Sequence, residues 1–475
     1  MNKSININLL IDGKKIKIID VIKMTKQFSE SDFKIVNCKS NLNFLGRAIL
    51  YLFKLIQKRI PKSQPTDCFL YLRNSATLTK ESLLKIQAEL NNNHQSCLFY
   101  GDSVVETEKN NKNWYESRPE WSPIFFKSHD FLGDLILTVT NDSQLFTKES
   151  VNSFILNHIN DDKVKKIRID SAISKRIANS ISSAGIPILS SENRIVTNTT
   201  GSKVKLNLDE SLSVIIPTNF SKNSDGEFFI LKCLESINKY ATTANFKVYL
   251  MVEERDHKPY DILFDDIAYR FQISKIVYRN PEFNFSKVIN YGVSQVSSEF
   301  VLILNDDVYF ASKFDFSCPL NHLVNDSGGS VGIRLLYPDQ KIQHAGIYFI
   351  NGAPQHWLYG SNKDYLLASH SYCKEVSGST GAFLLFRKNL FERIGGMDED
   401  FHLDYNDVDV CLKFEESGYK NILCSDITAY HFESKTRGKR QESEVKIDLA
   451  KLLKKHSINA RDSYTYTPAD RIEVE

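Results

Sequence analysis

From Leu212 onward, short apolar runs of strand length alternate with amphipathic helical patterns, and this alternation limits the fold more than any other feature of the chain. The predicted strands are 213–217, 247–252, 275–278, 299–304 and 382–386, and the predicted helices are 226–240, 286–296 and 406–417. Such alternation is typical of βα units stacked around one sheet. The sequence therefore predicts an α/β domain with a Rossmann-like, mostly parallel central sheet.

The length of the chain indicates two domains, because 475 residues exceed what one hydrophobic core usually organises. Between residues 190 and 211 the chain is polar and rich in turn-forming residues, without sustained periodicity. We place the domain boundary there. Residues 1–200 are predicted to form a smaller α/β unit, 201–211 a linker and 212–475 a second domain.

The charge balance excludes one class of partner. The chain carries 60 Lys and Arg residues against 58 Asp and Glu residues, which gives a formal net charge of +2. Binding of duplex nucleic acid depends on a bulk excess of positive charge. We therefore expect no nucleic-acid partner, and any anionic ligand must be bound by a local cluster of side chains.

The eight cysteines lack the paired spacing of a zinc ribbon or a disulfide framework. They are Cys38, Cys68, Cys97, Cys233, Cys318, Cys373, Cys411 and Cys424. We expect them to be reduced and mostly buried.

Two N-terminal features bear on location. The segment MNKSININLL lacks the basic-then-apolar pattern of a signal peptide, and no apolar run approaches the roughly 20 residues that span a bilayer. A cytoplasmic protein is expected. Residues 44–60, FLGRAILYLFKLIQKRI, form either a domain-packing helix, which we favour, or a peripheral contact with the inner face of the membrane.

Residues 301–307 are Val-Leu-Ile-Leu-Asn-Asp-Asp, an apolar run of strand length that ends in two carboxylates. Burial of charge is costly unless the charge holds a partner. In an open α/β sheet the ligand crevice lies at the carboxyl ends of the strands, and oxygen ligands suit Mg²⁺ or Mn²⁺. These residues are therefore a candidate metal site, although the same pattern also forms turns and helix caps.

Over residues 212 to about 437, eight segments in order resemble the motifs of family 2 glycosyltransferases, which are inverting enzymes with a GT-A fold. The segments are SVIIPTNF, CLESI, FNFSKVINYG, VLILNDDV, GIRLLYPDQKIQHAG, GSTGAFLLFRKNLFERIGGMDEDF, YNDVDVCLKFEESGY and YHFESKTRG. The resemblance implies transfer of a sugar from a UDP-, dTDP- or GDP-sugar to a saccharide or lipid-linked saccharide, in bacterial surface polysaccharide biosynthesis. The motif and membrane spans of processive synthases are not found in the sequence, which favours single additions.

The resemblance also implies the metal ligands. Asp307 matches the last carboxylate of the family's D-x-D motif, Asn305 takes the first position, and Asp306 lies between them. His431 follows the apolar stretch ITAY, where the family presents a histidine to the metal or the diphosphate. A divalent cation, Mg²⁺ or Mn²⁺, would stabilise the charge that develops on the leaving diphosphate. Asparagine is a poorer ligand than aspartate, but its amide oxygen can coordinate.

Asp407 matches the family's acidic motif for the general base, which takes the proton of the acceptor hydroxyl during attack on the anomeric carbon. It begins the predicted helix 406–417, on the face that carries Val410 and Phe414. A carboxylate in a first helical turn also meets exposed N–H groups and the positive dipole end, so capping is the alternative. Asp409 is expected on a different face.

Three places are implied as nucleotide contacts: the loop after the first strand, a carboxylate that ends the second strand, and a helix beneath the nucleotide. The candidates are Pro217, Thr218 and Asn219, then Glu253 or Glu254, and Asn290 with Gly292. The family's aspartate at the second place is missing, and the two glutamates are alternative replacements for it. Close packing of helix on sheet explains Asn290 and Gly292 equally well.

The basic run 435–440, KTRGKR, includes Arg437 and closely follows His431. Such runs are usually solvated loops. At this place in the motif order, the run is also consistent with a loop that closes over the diphosphate and excludes water. The same charges suit an acidic lipid-linked acceptor or a membrane surface, so the three interpretations stay open.

Residues 1–200 resemble a second, degenerate transferase-like module. The segment CFLYLRNS matches the metal-motif strand but has Arg73, Asn74 and Ser75 where the carboxylates belong, so a non-catalytic module is expected. Two alternatives to a transferase are weighed. One is a carbohydrate-binding or assembly scaffold with a decayed site, and the other is a nucleotidyltransferase, which attacks phosphorus and does not account for a positioned base such as Asp407.

Overall fold

The computed structural model of the chain comprises two compact units, Met1–Asn198 with Thr465–Glu475 and Thr199–Tyr464. The residues that the structure describes are 7–11, 14–15, 33–36, 67–72, 98–107, 113–116, 122, 124, 135–140, 164–176, 180–181, 187–188, 212–242, 246–279, 283–350, 352–364, 372–401, 404–433, 442–456 and 473–474. The segments 44–60 and 435–440, the latter with Arg437, lie outside them, so the predictions made there stay predictions.

The first unit contains a nine-stranded sheet and a separate two-stranded ribbon. Its strands are β1 (Ile7–Ile11), β2 (Lys14–Lys15), β3 (Phe33–Val36), β4 (Asp67–Leu72), β5 (Leu98–Thr107), β6 (Asn113–Glu116), β7 (Leu135–Thr140), β8 (Val164–Arg176), β9 (Ser180–Ile181) and β10 (Pro187–Ile188). A final strand, Glu473–Val474, pairs with β6. This pairing brings the last residues into the first unit, whereas the sequence prediction placed 212–475 together.

The second unit contains a ten-stranded sheet and a two-stranded ribbon. Its strands are β11 (Leu212–Pro217), β12 (Phe246–Glu253), β13 (Ser274–Tyr278), β14 (Phe300–Leu304), β15 (Val308–Phe310), β16 (Gly328–Leu336), β17 (Ile342–His344), β18 (Ile347–Ile350), β19 (Ala353–His356), β20 (Lys374–Val376), β21 (Phe383–Arg387) and β22 (Lys420–His431). Its helices are α1 (Phe229–Tyr240), α2 (Glu254–His257), α3 (Asp261–Phe271), α4 (Phe285–Ser294), α5 (Ser317–Asn325), α6 (Lys388–Arg393), α7 (Asn406–Glu416) and α8 (Glu442–Lys455). Among the described residues, no helix has both the length and the apolar character needed to cross a bilayer.

The main sheet of the second unit has the order β13-β12-β11-β14-β21-β16-β22-β15. Strands β11 to β14, β16 and β22 run in one direction, and β21 is reversed between β14 and β16. The predicted α/β class with a mostly parallel central sheet is therefore confirmed. The predicted strands and helices are present within a few residues. The first helix starts at Phe229 rather than 226, because Asn223 Oδ1 accepts from the amides of Asp225 and Glu227 and holds a turn there.

The sheets of the two units share one strand pattern. In the first unit β3, β1 and β4 are parallel, β7 is antiparallel to both β4 and β5, and β8 is parallel to β5. In the second unit β12, β11, β14, β21, β16 and β22 have the same relations in the same order. The corresponding strands also follow one another in the same order along the chain, as in two copies of one module.

The core of the second unit packs α4 and α7 against the central strands. Apolar side chains of β11 and β14 belong to this core. Parallel strands that are covered on both faces are apolar on both faces, so one set of their side chains is available to these helices. At Gly292 of α4, an added Cβ would lie 3.0 Å from Met251 Sδ and 3.2 Å from Ile215 Cγ2. Glycine therefore allows α4 to approach β11 and β12 closely, which is the packing interpretation weighed for Gly292.

Candidate active site

A polar turn follows the carboxyl end of β14, which is buried along its whole length. The Val308 amide donates to the Asn305 carbonyl at 3.3 Å, and the Asn305 amide donates to the Ala382 carbonyl at 3.0 Å. Asp306 and Asp307 are both buried within this turn. The backbone therefore fixes both carboxylates at the end of the sheet where α/β folds place their ligands.

His431 lies beside this turn because β15 pairs with β22. Val308 is opposite His431 in the antiparallel register, and the Phe432 amide donates to the Asp307 carbonyl at 3.1 Å. His431 Nε2 lies 3.1 Å from Asp307 Oδ1 and 3.3 Å from Asn305 Nδ2. The structure thus brings together the three residues that the sequence analysis named as metal ligands.

Gln343 orients the His431 ring, and the sequence analysis missed it. Gln343 Oε1 lies 2.7 Å from His431 Nδ1, and both side chains are buried. When Nδ1 carries the proton and donates it to this oxygen, Nε2 keeps a lone pair on the side of Asp307. The sequence signal was weak, since Gln343 lies in the IQHAG segment of the resemblance without a role there.

The donor set fits a divalent cation. In the tautomer that Gln343 favours, His431 Nε2 and Asp307 Oδ1 are two acceptors 3.1 Å apart, and a shared cation would satisfy both. Asn305 turns its amide group to the same place, and exchange of its amide nitrogen and oxygen by rotation would add an oxygen ligand. Oxygen and imidazole ligands suit Mn²⁺, and oxygen ligands suit Mg²⁺.

Asp306 is hydrogen-bonded to the loop that follows β11. Thr218 Oγ1 donates to Asp306 Oδ2 at 2.7 Å and accepts from the Phe220 amide at 3.0 Å. Burial raises the pKa of Asp306 to about 7, against the effect of the Thr218 hydrogen bond and with a further contribution from the negative charge of Asp307. The loop after β11 and the turn after β14 therefore form one hydrogen-bonded network.

Pro217, Thr218 and Asn219 have different positions in that loop. Pro217 ends β11, and the Thr218 amide donates to the Met251 carbonyl of β12 at 3.0 Å. Asn219 is exposed, and its Oδ1 accepts from the Ser221 amide at 3.1 Å. Of the three candidates, Thr218 is the one that contacts Asp306.

Glu253 ends β12 and is buried, whereas Glu254 is exposed. Glu253 Oε2 accepts from the Arg255 amide at 2.7 Å and from its guanidinium Nε at 3.4 Å. Of the two carboxylates weighed for the second strand, Glu253 is therefore the buried one with short hydrogen bonds, whereas the exposed Glu254 lies 3.9 Å from Arg279 Nε.

Asn290 of α4 holds the loop that follows α6. Its Nδ2 donates to the Met397 carbonyl at 2.9 Å, and its Oδ1 accepts from the Met397 amide at 2.9 Å. An added Cβ on Gly396 would lie 2.7 Å from Asn290 Oδ1, so glycine permits this approach. Because both ends of the Asn290 amide bind the loop, the packing interpretation is favoured over direct contact with a nucleotide.

Asp407 lies in the first turn of α7 and is half-buried. Its Oδ2 accepts from the Gly381 amide at 2.9 Å, and its Oδ1 accepts from the Val408 amide at 2.8 Å. Gly381 directly precedes Ala382, whose carbonyl binds the Asn305 amide. One short backbone segment thus contacts both Asp407 and the turn that carries the predicted metal ligands.

Asp409 is fully buried and contacts the end of α8. Its Oδ1 lies 2.8 Å from His456 Nε2 and 2.6 Å from Lys455 Nζ, and its Oδ2 lies 3.2 Å from Lys413 Nζ. The different face expected for Asp409 is thus an internal one, where Lys455 and His456 anchor the end of α8 to α7, and Lys413 adds a contact within α7.

A second polar cluster, also missed by the sequence analysis, connects Gln343 to the half-buried Tyr337 and the exposed Tyr359. The Tyr337 hydroxyl lies 2.7 Å from Glu433 Oε2 and 2.8 Å from the Tyr359 hydroxyl. Gln343 Nε2 donates to the same Glu433 oxygen at 3.5 Å. The network that begins at His431 therefore reaches the surface at Tyr359.

No family model matches the chain. Among curated proteins, the chain is 30% identical over 240 residues, 49% of its length, to the uncharacterized protein y4gI of Sinorhizobium fredii. It is 26% identical over 170 residues, 35% of its length, to the O-antigen biosynthesis protein RfbC of Myxococcus xanthus. These matches span 26% of the first relative and 13% of the second.

Two solved structures resemble part of the chain. GalNAc-T7 with UDP, GalNAc and Mn²⁺ has a TM-score of 0.37 and 12% identity, over 47% of this chain and 44% of that chain. The mannosyltransferase PcManGT from Pyrobaculum calidifontis, in complex with GDP-Man and Mn²⁺, has a TM-score of 0.35 and 16% identity, over 51% of this chain and 61% of that chain. A likeness at this level assigns neither an activity nor a residue.

Proposed function

We propose that the second unit is a metal-dependent, inverting GT-A glycosyltransferase that moves a sugar from a nucleoside-diphosphate donor to a hydroxyl group of a saccharide or lipid-linked saccharide. The observation that carries the proposal is the approach of Asp307 Oδ1 to His431 Nε2 at 3.1 Å, beyond the end of buried β14. Buried acceptors in contact are costly unless they share a proton or a cation. The order of the motifs supports the proposal, as does a curated relative named for O-antigen biosynthesis.

In the proposed site, Asn305, Asp307 and His431 would hold Mg²⁺ or Mn²⁺. When bound, the cation supplies positive charge to the diphosphate that leaves the donor. Gln343 keeps His431 Nε2 turned towards the site through its hydrogen bond to Nδ1. The hydrogen bond from Thr218 to Asp306 ties the loop after β11 to the same turn.

The ends of β11 and β12 are the proposed place of the nucleotide. Pro217, Thr218 and Asn219 lie at the end of β11, and buried Glu253 lies at the end of the neighbouring strand. The carboxyl ends of adjacent parallel strands form the usual ligand crevice of an open sheet. Asn290 would act indirectly, by holding the loop at Met397.

Asp407 is the proposed general base. The amides of Gly381 and Val408 hold its carboxylate, and each oxygen keeps a lone pair that can accept the proton of an acceptor hydroxyl. In an inverting transfer the hydroxyl attacks the anomeric carbon from the side opposite the leaving diphosphate. The Gly381 amide contacts Asp407, and the carbonyl of the next residue, Ala382, contacts the turn that carries the predicted metal ligands. This arrangement suits a sugar held between Asp407 and the metal site.

The first unit is proposed to be a non-catalytic module of the same type. Its sheet repeats the strand pattern of the second unit. In the sequence, β4 is followed by Arg73, Asn74 and Ser75, whereas the corresponding β14 is followed by Asn305, Asp306 and Asp307. The sequence therefore supplies no carboxylate, the negatively charged oxygen ligand that a divalent cation favours, at this position of the first unit.

A nucleotide-sugar screen tests the proposed function. The wild-type protein is incubated with UDP-, dTDP- and GDP-sugars, Mg²⁺ or Mn²⁺, and a mixture of saccharide and lipid-linked acceptors. The same reactions are run with Asp307→Asn and with Asp339→Asn, an exposed loop carboxylate that serves as the control. We expect metal-dependent release of one nucleoside diphosphate by the wild type and the control, and a loss of at least about 100-fold in Asp307→Asn.

Two other outcomes identify the alternatives. Release of a sugar phosphate instead of a nucleoside diphosphate would indicate nucleotidyl transfer, because attack on the phosphorus next to the nucleoside leaves the sugar with one phosphate group. Saccharide binding without any donor turnover, over the whole panel of acceptors, would indicate a scaffold.

A further inference from the structure

Three cysteines and a histidine of the second unit converge although their spacing in the sequence shows no zinc pattern. We infer that Cys318, His322, Cys373 and Cys424 bind a structural zinc ion. Cys318 and His322 lie one turn apart on α5, Cys373 directly precedes β20, and Cys424 lies in β22. The fold, rather than the local sequence, therefore assembles the site.

The four side chains converge on Cys424. Cys318 Sγ lies 3.3 Å from Cys424 Sγ, and the ligand atoms of Cys318, His322 and Cys424 all lie within 4.8 Å of one another. Cys373 Sγ lies within 4.8 Å of Cys424 Sγ as a member of a second set, so Cys424 connects Cys373 to the other two ligands. In a tetrahedral site with Zn–S bonds of about 2.3 Å, the sulfur atoms lie about 3.8 Å apart. The ion would therefore move Cys318 Sγ and Cys424 Sγ apart by about 0.5 Å, and a side-chain movement of Cys373 would bring it to the other three ligands.

Asp326 supplies the outer contact that a zinc-bound histidine usually has. His322 Nδ1 lies 2.8 Å from Oδ2 of Asp326, the residue that directly follows α5. A carboxylate that accepts from Nδ1 fixes the ring and leaves the lone pair of Nε2 for a metal. This hydrogen bond orients His322 as a metal ligand, which proximity to the thiols alone would not do.

The ligand chemistry selects zinc. Thiolate and imidazole ligands prefer Zn²⁺, whereas Mg²⁺ and Mn²⁺ prefer oxygen. Three thiolates and one imidazole complete a closed tetrahedral site, the type that stabilises folds. The cation proposed for Asn305, Asp307 and His431 therefore does not compete for these ligands.

Asp426 lies at the rim of this cluster. Cys318 Sγ donates to Asp426 Oδ2 at 3.0 Å, and a second set, Cys373, Cys424 and Asp426, also has its ligand atoms within 4.8 Å of one another. Asp426 is exposed, while Cys424 is buried and belongs to both sets. We therefore assign Cys424 as the central ligand and place Asp426 outside the four.

The ion would cross-link α5 to two strands of the sheet. Lys374, next to Cys373, is opposite Leu423, next to Cys424, in the pairing of β20 with β22. β22 continues from Cys424 to His431, a distance of roughly 20 Å along the strand. Zinc would thus hold in place the strand that carries His431. The inference does not rest on the proposed function, because the site has its own ligands and its own measurements.

The first test is the metal content of the full chain. The protein is produced in zinc-supplemented medium and passed through gel filtration with EDTA. We expect about one zinc ion per chain, with an X-ray absorption spectrum that fits about three sulfur neighbours at about 2.3 Å and about one nitrogen neighbour at about 2.0 Å. Absence of zinc, or a shell of oxygen neighbours only, would overturn the inference. So would a Cys318–Cys424 disulfide found by mass spectrometry after alkylation without reduction.

The second test uses variants. Cys424→Ser is expected to lower the zinc content to below about a tenth, while Asp426→Asn keeps it. Cys411→Ser is the matched control, because Cys411 is a buried thiol outside the cluster.

If Cys424→Ser does not fold, His322→Gln is loaded with Co²⁺ and compared with the cobalt-loaded wild type. The intense visible bands of tetrahedral cobalt thiolate are expected in the wild type and altered in the variant, and identical spectra would exclude His322 as a ligand.

Discussion

His431 Nε2 lies 3.1 Å from Asp307 Oδ1, although Asp307 belongs to the turn between β14 and β15 and His431 ends β22. The pairing of β15 with β22 sets their separation, and Gln343 sets the rotation of the imidazole ring. The contact thus depends on a side chain that has no part in the D-x-D motif. This dependence gives a direct test of the proposed metal site.

Replacement of Gln343 by alanine is expected to weaken Mn²⁺ binding by about 10- to 100-fold, because the His431 ring loses the partner that fixes its orientation. Titration of the protein with Mn²⁺, followed by electron paramagnetic resonance of the free ion, measures the affinity. Gln355→Ala, at an exposed position of β19, is the matched control and should bind Mn²⁺ as the wild type does. Equal affinities of Gln343→Ala and the wild type would contradict a role for His431 as an oriented ligand.

Replacement of Asp407 by asparagine separates a base from a helix cap. Asparagine can still accept from the Gly381 amide but cannot take a proton, so kcat for sugar transfer is expected to fall by about 10²- to 10⁴-fold while nucleotide binding is unchanged. Transfer rates and calorimetric titration with the nucleoside diphosphate measure the two quantities. Asp400→Asn, an exposed carboxylate in the loop before α7, serves as the control. A variant that is less stable but fully active would instead assign Asp407 to capping alone.

The strands and helices could be predicted because their signals are local. Residues 300–304 are buried on both faces of β14, and their unbroken apolar sequence shows it. Helix α7 likewise follows from the spacing of Val410 and Phe414. Asn305, Asp307 and His431 were found through motif resemblance, which supplies long-range information that composition and periodicity do not.

The contacts between distant segments could not be predicted, because register and packing decide them. The cysteines at 318, 373 and 424 become neighbours only when β20 pairs with β22 and α5 packs nearby. Gln343 reaches His431 by the same kind of long-range arrangement. For Asn290, the resemblance and close packing of helix on sheet were equal explanations, and neither could reveal the loop at Met397 that binds both ends of its amide group.

Gly332 of β16 is expected to tolerate no side chain. An added Cβ would overlap the Ser379 side chain and lie 2.5 Å from Ser379 Cβ, so Gly332→Ala is expected to cost about 1–3 kcal/mol of unfolding free energy. Urea unfolding measures the change. Gly381→Ala, where the nearest atom lies 3.6 Å from the new Cβ, is the control for loss of a glycine.

The double variant Gly332→Ala/Ser379→Gly shows whether this overlap is the cause. Removal of the Ser379 side chain takes away the atoms that the new methyl group would meet, so the double variant should regain part of the lost stability. If the double variant lost as much stability as the two single variants together, the cause would instead be the backbone of β16.

The His456–Asp409 pair predicts how stability depends on pH. Burial alone would lower the pKa of His456, but its hydrogen bonds to Asp409 and Glu416 outweigh burial and raise it above the ordinary value. Burial would raise the pKa of Asp409, but its bonds to His456 and Lys455 lower it. The contribution of His456 is therefore complete below about pH 6.5 and lost as pH rises through its raised pKa, while that of Asp409 is complete above about pH 4 and lost as pH falls.

Stability from this pair is thus greatest between about pH 4 and pH 6.5. In His456→Gln, the decrease of unfolding free energy above about pH 6.5 should become shallower, by up to about 1.4 kcal/mol per pH unit, since one proton is no longer released. Urea unfolding over a pH series measures both profiles. Lys454→Gln, which removes an exposed charge from the same turn of α8, should retain the wild-type profile. If His456→Gln kept the wild-type slope, the proton would be bound elsewhere, and α8 would be held to α7 by Lys455 without a charged His456.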